Sequence, residues 1–289
     1  MKKITVYHYD AFTTEPDKGN PAGVVLDADG LTDEEMQNIA YQMGFNETTF
    51  VWSSDEADLA LRFFTPGQEM ALCGHGMLAT LFALKTKGLL PNKKEFVMAT
   101  NSGFLPISFV EKDEPLNVRM TQAYPEFKAF EGSLQDVASA LGIEVTEIDS
   151  SLPTVYGSTG NWTLIVPVKQ LKTFEKMQPK NAKFPHFLTA IPKASLHPIC
   201  LETYHEAATL HGRHFSSPFS GTVEDPVTGT ASGVMGAYYT KFIQSTRELI
   251  VEQGQEIGKD GLVTVYIGKT GDISISGTAV YVSEKVVSL

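Results

Sequence analysis

Two stretches of the chain join a Gly-rich turn to a long run of apolar positions. The first covers residues 70–88 and the second covers residues 225–243. In each run apolar residues occupy most sides of a helix instead of a single stripe, so we predict two buried helices. The start of a buried helix presents several backbone N–H groups to whatever faces it. Such a set of donors is suited to binding an anion.

The segments that lead into these two helices resemble each other. Residues 62–66 (RFFTP) precede the first helix, and residues 213–218 (RHFSSP) precede the second. Counted from the arginine of each segment, Gly74 and Asp225 both lie twelve residues on. We interpret this match as a degenerate internal duplication. Each copy would contain a strand, a loop, a Gly-rich turn and a buried helix.

The rest of the chain alternates strand patterns with a few further helices. One helix is predicted to begin after Thr32, with Glu35 completing a capping box, and to end at Gly44. Another is predicted between Ser133 and Gly142. Strands are predicted over residues 4–12, 46–52, 59–64, 96–99, 105–109, 118–120, 199–204 and 211–215, with a loop over 13–23 and irregular structure over 185–198. This order is not a regular βαβ alternation, which argues against a doubly wound parallel sheet.

Length and charge narrow the class of protein. The 289 residues suit roughly two domains, and the crossing between them is predicted at residues 115–125. The formal net charge of -11 argues against nucleic acid or an anionic membrane as a partner. The start of the chain alternates like a strand, and no apolar run reaches the ~18 residues of a membrane span. We therefore predict a cytoplasmic protein.

Cofactor and metal motifs are weak. Residues 74–79 (GHGMLA) fit the dinucleotide pattern G-x-G-x-x-G/A, but the βαβ frame and the acidic residue about twenty positions on are missing. Cys73 and Cys200 belong to no CxxC or Cys/His cluster, and the histidines form no spaced metal set. We predict no cofactor and no metal.

Four residues are candidates for chemistry. Asp225, just ahead of the second helix, is either a cap for its N–H groups or a chemical group beside a bound anion. His75 lies in the first Gly-rich turn, where a histidine tends to stay neutral and to act as a donor. Cys73 at a helix start is either a small buried residue or a reactive thiol. Glu47 begins an apolar strand and is a weak candidate when taken alone.

Several of these segments, taken in order, resemble the phenazine-biosynthesis isomerase family (PhzF-like proteins). The resemblance runs from Met1 through the final strands, and its specificity comes from the combination, because any one segment would be weak. The segments are Asp10-Ala11-Phe12, Gly19-Asn20-Pro21-Ala22-Gly23, Asn46-Glu47-Thr48-Thr49-Phe50-Val51, Cys73-Gly74-His75, Ser158-Thr159-Gly160-Asn161 and Glu224-Asp225-Pro226-Val227-Thr228-Gly229-Thr230-Ala231.

The resemblance implies an α+β protein with the diaminopimelate-epimerase fold. In that fold two pseudo-symmetric lobes each wrap a barrel-like sheet around a central helix, and the active site lies in the cleft between them. We expect residues 1–122 to form the N-terminal lobe, joined by the last strand at about 275–289. Residues 123–274 would form the C-terminal lobe. The family also implies a homodimer.

The resemblance further implies a cofactor-independent isomerase that acts on a small carboxylate-bearing molecule. Glu47 matches the glutamate that moves a proton within the substrate, and His75 and Asp225 match the assisting polar residues. Gly74, Gly229 and Thr230 match the turns that hold the substrate carboxylate. Asn20 is a weaker candidate for a substrate contact.

Cys73 marks a departure from the related epimerases. It occupies the place of their first catalytic cysteine, but Gly-His follows it where those enzymes have Gly-Asn. The second copy of the duplication has no matching cysteine. A racemase or epimerase that uses Cys73 is one alternative function. A ligand- or protein-binding module that kept the fold without catalysis is another.

Overall fold

The computed structural model describes residues 2–90, 95–110 and 117–289, apart from the side chains at positions 109 and 110. Contacts between residues divide the chain into two compact units. The first unit contains residues 1–121 and 276–289, and the second contains residues 122–275. Part of the predicted crossing at residues 115–125 lies outside the described residues.

The first unit is a mixed sheet with two helices. In chain order its elements are β1 (Lys3–Ala11), β2 (Asn20–Val25), α1 (Asp33–Met43), β3 (Glu47–Trp52), β4 (Leu59–Phe64), β5 (Glu69–Met70), α2 (Gly74–Thr86), β6 (Glu95–Thr100), β7 (Gly103–Val110) and β8 (Asn117–Thr121). The last strand of the chain, β19 (Ala279–Ser288), pairs antiparallel with β1.

The second unit also combines a mixed sheet with helices. Its elements are β9 (Glu126–Ala129), α3 (Leu134–Leu141), β10 (Val155–Ser158), β11 (Trp162–Pro167), α4 (Phe184–Phe187), β12 (Ser195–Cys200), β13 (Leu210–Gly212), β14 (His214–Phe215), β15 (Glu224–Asp225), α5 (Gly229–Phe242), β16 (Glu248–Gln253) and β17 (Gly261–Ile267). Strand β18 (Ile273–Gly277) begins in this unit and ends in the first. Short 3₁₀ turns cover Val145–Glu147, Leu171–Lys176, Asn181–Lys183 and Gln255–Ile257.

The order of strand pairings is similar in the two units. In the first, β1–β2 is antiparallel, β2–β3 parallel, β3–β4 antiparallel and β4–β6 parallel. In the second, β10–β11 is antiparallel, β11–β12 parallel, β12–β13 antiparallel and β13–β16 parallel. A short antiparallel ribbon, β4–β5 or β14–β15, precedes the long helix of each unit.

Helices α2 and α5 are buried, as their apolar patterns predict. Helix α2 packs against β1, β2, β3 and β19, and ten consecutive residues from His75 to Leu84 are buried. Helix α5 packs against β10, β16 and β17. Each arginine in the segments before these helices pairs with a glutamate of its own ribbon: Arg62 with Glu69, and Arg213 with Glu224.

The capping predictions for the smaller helices are confirmed. The Thr32 hydroxyl accepts from the Glu35 N–H and the Glu35 carboxylate accepts from the Thr32 N–H, which closes a capping box at the start of α1. The Ser133 hydroxyl accepts from the Asp136 N–H at the start of α3. Gly44 and Gly142 follow these helices in the left-handed conformation, at φ 69° and 76°.

Two local predictions are wrong. The loop predicted over 13–23 ends before Asn20, where β2 begins. Strand β2 pairs antiparallel with β1, and Asn20 lies opposite Ala11, the last residue of β1. The strand predicted over 199–204 instead covers Ser195–Cys200, paired in parallel with β11. Prolines and glycines in the first segment, and prolines in the second, mimic a loop locally, while pairing with a neighbouring strand decides the structure. Among the described residues, no helix is long and apolar enough to cross a membrane.

Candidate active site

Glu47 and His75 approach each other at the N-terminal end of α2. Glu47 is the first residue of β3, and His75 lies in the first turn of α2. The Oε2 atom of Glu47 is 2.9 Å from Nε2 of His75. The Glu47 side chain is 17% exposed and the His75 side chain is 8% exposed. The pair is therefore largely removed from water, with the carboxylate the more accessible partner.

The surroundings of His75 favour its protonated form. Burial disfavours the charged imidazole, but contacts with the Cys73 sulfur and the Glu47 carboxylate outweigh burial and raise the pKa of His75 well above its ordinary value. Burial and the Glu47 carboxylate raise the pKa of the Cys73 thiol. A neutral thiol carries no charge, so we assign the stabilisation of the imidazolium to Glu47. The raised pKa favours the charged ring, whereas a helix start alone predicts a neutral one.

Cys73 has a structural function at this helix start. It is the N-cap residue of α2, and its Sγ accepts a hydrogen bond from the Gly76 N–H at 3.2 Å. The same Sγ lies 3.5 Å from Nδ1 of His75. Gly76 is held close to this cluster, since a Cβ atom there would lie 2.6 Å from Oγ1 of Thr49. Cys73 therefore caps α2 and contacts His75, in addition to being a small buried residue.

Gly74 differs from Gly76 in what it faces. A Cβ atom at Gly74 would meet no atom within 4 Å among the described residues, so the backbone at this position faces open space. Gly74 is also the first residue of α2, where backbone N–H groups point out of the helix. The position is therefore open to a ligand that seeks backbone donors.

Glu47, Cys73 and His75 are also three residues of metal-ligating types. One ligand atom of each lies within 4.8 Å of those of the other two. No metal-type spacing is visible in the sequence here, because Glu47 belongs to a different element from the Cys-Gly-His segment. The structure brings the three together at one helix end.

Asp225 lies just ahead of α5 and contacts the residue that begins that helix. Its Oδ2 atom accepts a hydrogen bond from the Thr228 hydroxyl at 2.5 Å. Thr228 is the N-cap residue of α5, and its own side chain makes no capping hydrogen bond to the helix. The Asp225 carboxylate is thus held beside the helix start by a neutral hydroxyl.

Gln253 fixes this turn from the neighbouring strand. Its Nε2 donates to the Asp225 carbonyl at 2.7 Å, and its Oε1 accepts from the Thr228 N–H at 3.3 Å. The preceding residue, Glu252, is fully buried and anchors β16 on its other face through His211 Nδ1 at 3.0 Å. Strand β16 therefore positions the turn that leads into α5.

Gly229 and Thr230 are the first two residues of α5. The Thr230 carbonyl accepts a hydrogen bond from Oγ1 of Thr159 at 2.8 Å. Thr159 belongs to the Ser-Thr-Gly-Asn segment that carries part of the family resemblance. Sequence reasoning gave no function to Thr159, Thr228 or Gln253. Thr159 and Thr228 both lie in segments that carry the family resemblance, which was the available signal for them, and Gln253 lies in none of these segments.

The predicted site residues fall into two groups, one in each unit. Glu47, Gly74 and His75 come together at the start of α2. Asp225, Gly229 and Thr230 come together at the start of α5. Asn20, the weaker candidate, is fully buried as the first residue of β2.

Comparison with known proteins places this geometry in a family. The family model described as "Phenazine biosynthesis-like protein" (PhzC-PhzF) matches residues 9–285. This chain belongs to the PhzC-PhzF family. The family resemblance inferred from the sequence is thereby confirmed.

Individual members of the PhzC-PhzF family are similar along their whole length. An uncharacterized isomerase, YfhB, of Bacillus subtilis is 50% identical, with 100% of both chains covered. The crystal structure of a PhzF-family phenazine biosynthesis protein from Bacillus anthracis matches with a TM-score of 0.96 and 56% identity over 100% of both chains. The trans-2,3-dihydro-3-hydroxyanthranilate isomerase of Pseudomonas chlororaphis is 28% identical, with 89% of both chains covered. The names of these relatives support isomerase activity for this member.

Proposed function

We propose that this member of the PhzC-PhzF family is a cofactor-independent isomerase that moves a proton within a small carboxylate-bearing molecule. Glu47 would take the proton from one carbon of the substrate and return it to another. The observation that supports this proposal most directly is the Glu47–His75 pair at the start of α2, 2.9 Å apart and largely buried. A carboxylate in this setting is a suitable general base.

The charge around Glu47 suits the removal of a proton from carbon. When the proton leaves, negative charge builds on the substrate. The protonated His75 ring and the N-terminal end of α2 both favour negative charge at this place. His75 would also hold the Glu47 carboxylate in position through their ion pair. Gly74, with open space before it, would offer its N–H to the substrate carboxylate.

The residues at the start of α5 would bind the same substrate. We assign carboxylate binding to the N–H groups of Gly229 and Thr230 and to the Thr230 hydroxyl, because a helix start with no side-chain cap favours an anion. Asp225 would accept a hydrogen bond from a polar group of the substrate. Asn20 is a further candidate contact.

The class of substrate follows from the relatives. The Pseudomonas chlororaphis relative is named for an amino- and hydroxy-substituted cyclic diene acid. At 28% identity that name does not transfer, so we propose the wider class of cyclic or amino-substituted unsaturated carboxylates. A homodimer in the cytoplasm is the expected setting.

A thiol-based racemase is the second candidate. It is favoured by the Cys73 Sγ lying 3.5 Å from His75 Nδ1, which places a thiol in direct contact with an imidazole. The raised pKa of the Cys73 thiol argues against it, since only the thiolate is reactive. A non-catalytic ligand-binding protein is the alternative outside enzymes.

The experiment that tests the proposal is a screen for turnover. The purified protein is incubated in deuterated water with a panel of cyclic and amino-substituted unsaturated carboxylates that includes trans-2,3-dihydro-3-hydroxyanthranilate. Mass spectrometry and NMR then follow label uptake and double-bond position. We expect at least one compound to be isomerised. Tight binding of a compound without label uptake or rearrangement would favour the binding-protein alternative.

A further inference from the structure

The start of α2 brings together the ligand set of a transition-metal site. Glu47 offers a carboxylate, Cys73 a sulfur and His75 a ring nitrogen, with one atom of each within 4.8 Å of the others. Cys73 and His75 are 6% and 7% exposed. The Glu47 Oε2 atom is buried and finds no well-aligned hydrogen-bond donor among the described residues. Its 2.9 Å approach to His75 is therefore an ion-pair contact, which leaves a lone pair of the oxygen available to an ion.

Two of the distances within this cluster are close to those between the ligands of one tetrahedral zinc ion. Zn–N and Zn–O bonds of about 2.0–2.1 Å, a Zn–S bond of about 2.3 Å and tetrahedral angles give roughly 3.3 Å between N and O and roughly 3.6 Å between S and N. In this protein Nε2 of His75 lies 2.9 Å from Oε2 of Glu47 and 3.7 Å from Sγ of Cys73. The sulfur also lies 3.5 Å from Nδ1 and so flanks the ring, which means that the His75 and Cys73 side chains must rotate to direct both donors at one ion.

We propose that Cys73 Sγ, His75 Nε2 and a Glu47 carboxylate oxygen bind one Zn²⁺ ion, with the fourth coordination position open. The sulfur and nitrogen donors select zinc over magnesium or calcium, which prefer oxygen ligands. Cys73 binds as a thiolate and His75 as the neutral ring, so that the thiol proton and the Nε2 proton of the imidazolium both go to solvent. Two of the three ligands belong to one rigid helix start, so little conformational freedom is lost when the ion binds.

The consequence for activity rests on the proposed function. Zinc binding occupies the Glu47 oxygen and the His75 nitrogen that the proton transfer requires. Zn²⁺ and catalysis therefore exclude each other, and the ion is a reversible inhibitor, not a cofactor. Removal of the metal with a chelator restores the activity.

Cobalt spectroscopy tests the site without any assay of activity. Tag-free, full-length protein is stripped with EDTA, dialysed and titrated with Co²⁺. We expect the visible absorption of tetrahedral Co²⁺ and a near-ultraviolet sulfur-to-cobalt band, both saturating at one equivalent and both lost on addition of Zn²⁺. Absence of the sulfur band, or saturation at several equivalents, would overturn the proposal.

Variants assign the ligands. Cys73→Ser removes the sulfur band while keeping a side chain that can cap α2, and Glu47→Gln removes a ligand with little change of shape. Loss of a residue that only supports a ligand typically weakens metal binding about 10–100-fold. Loss of a ligand itself should weaken Co²⁺ binding by more than this in each variant. Circular dichroism verifies that each variant is folded. Cys200→Ser is the matched control, and loss of the sulfur band in that variant instead would contradict the assignment.

Inhibition is measured separately, so that the two proposals fail in different ways. If Co²⁺ gives the predicted spectrum, Zn²⁺ displaces it and no substrate is turned over even in EDTA, the isomerase proposal fails and the metal site stands. If turnover of the metal-free protein is robust and one equivalent of Zn²⁺, added after EDTA has been removed, leaves it unchanged, the inhibitory metal site is wrong and the isomerase stands.

Discussion

Glu47 lies 2.9 Å from His75, and this carboxylate is the charged group that holds a proton on the buried ring. The two residues come from different elements, the first residue of β3 and the first turn of α2. Their contact fixes both the position of the carboxylate and the charge of its neighbour. The titration of His75 and the pH dependence of stability both follow from this contact.

The titration of His75 should depend on Glu47. In metal-free protein we expect the pKa of His75 to lie above the ordinary value of about 6.5. It should fall in Glu47→Gln, because the opposing charge is removed while burial is retained. NMR of the histidine ring carbons gives the value in both proteins. A pKa of about 6.5 or below in the wild type would contradict the ion pair.

The same shift predicts a pH dependence of stability. The folded state holds the His75 proton more tightly than the unfolded state, so the stabilisation is fully present below the unfolded pKa of about 6.5. It is lost as the pH rises through the folded pKa. Urea denaturation of wild type and His75→Gln across this range should show their difference in free energy of unfolding shrinking towards higher pH. A difference that grows with pH would have the wrong sign.

Cys73 should be dispensable for the chemistry. Cys73→Ser keeps an acceptor for the Gly76 N–H, whereas Cys73→Ala loses the cap at a cost of about 1 kcal/mol or less in free energy of unfolding. Both variants should retain most turnover in the presence of EDTA. A loss of turnover by more than about a hundredfold, near the lower end of what an acid–base group contributes to the rate, would favour the thiol mechanism instead.

Much of the fold could be predicted from the sequence where local signals agree with the tertiary structure. The capping box at Thr32, the caps and stops of α3 and the all-round apolar pattern of α2 and α5 are examples. Strand pairing could not be predicted in this way. The strands at Asn20 and Ser195 are built from segments rich in loop-forming residues, and only their partners β1 and β11 reveal them.

Part of the candidate site could also be predicted, because short local segments identify some of its residues. The resemblance carried by short segments identified Glu47 and His75 separately, and the structure supplied their contact. A helix start alone predicts a neutral His75, and the sequence does not show that a carboxylate lies beside the ring and favours its charged form. Gln253 could not be found, since this neutral residue gains importance only through its hydrogen bonds to the turn before α5.

Thr230 tests the proposed carboxylate site at α5. Thr230→Asp places a negative charge at the start of α5, where the substrate carboxylate would bind, and like charges repel. We expect binding of any substrate found in the screen to be abolished, measured by isothermal titration calorimetry. Ser245→Asp adds the same charge at an exposed position of the same unit and should bind normally. Unchanged affinity in Thr230→Asp would remove α5 from the site.

The central claim is that Glu47 carries the proton, and proton exchange in deuterated water with the Glu47→Gln variant tests it most directly. Glutamine keeps the size of the side chain but cannot take up the proton, so the variant should bind substrate nearly normally while label exchange falls by roughly two to four orders of magnitude. Glu56→Gln, an exposed position of the same unit, is the control and should exchange label at the wild-type rate. If Glu47→Gln exchanges label as fast as the wild type, Glu47 is not the proton carrier.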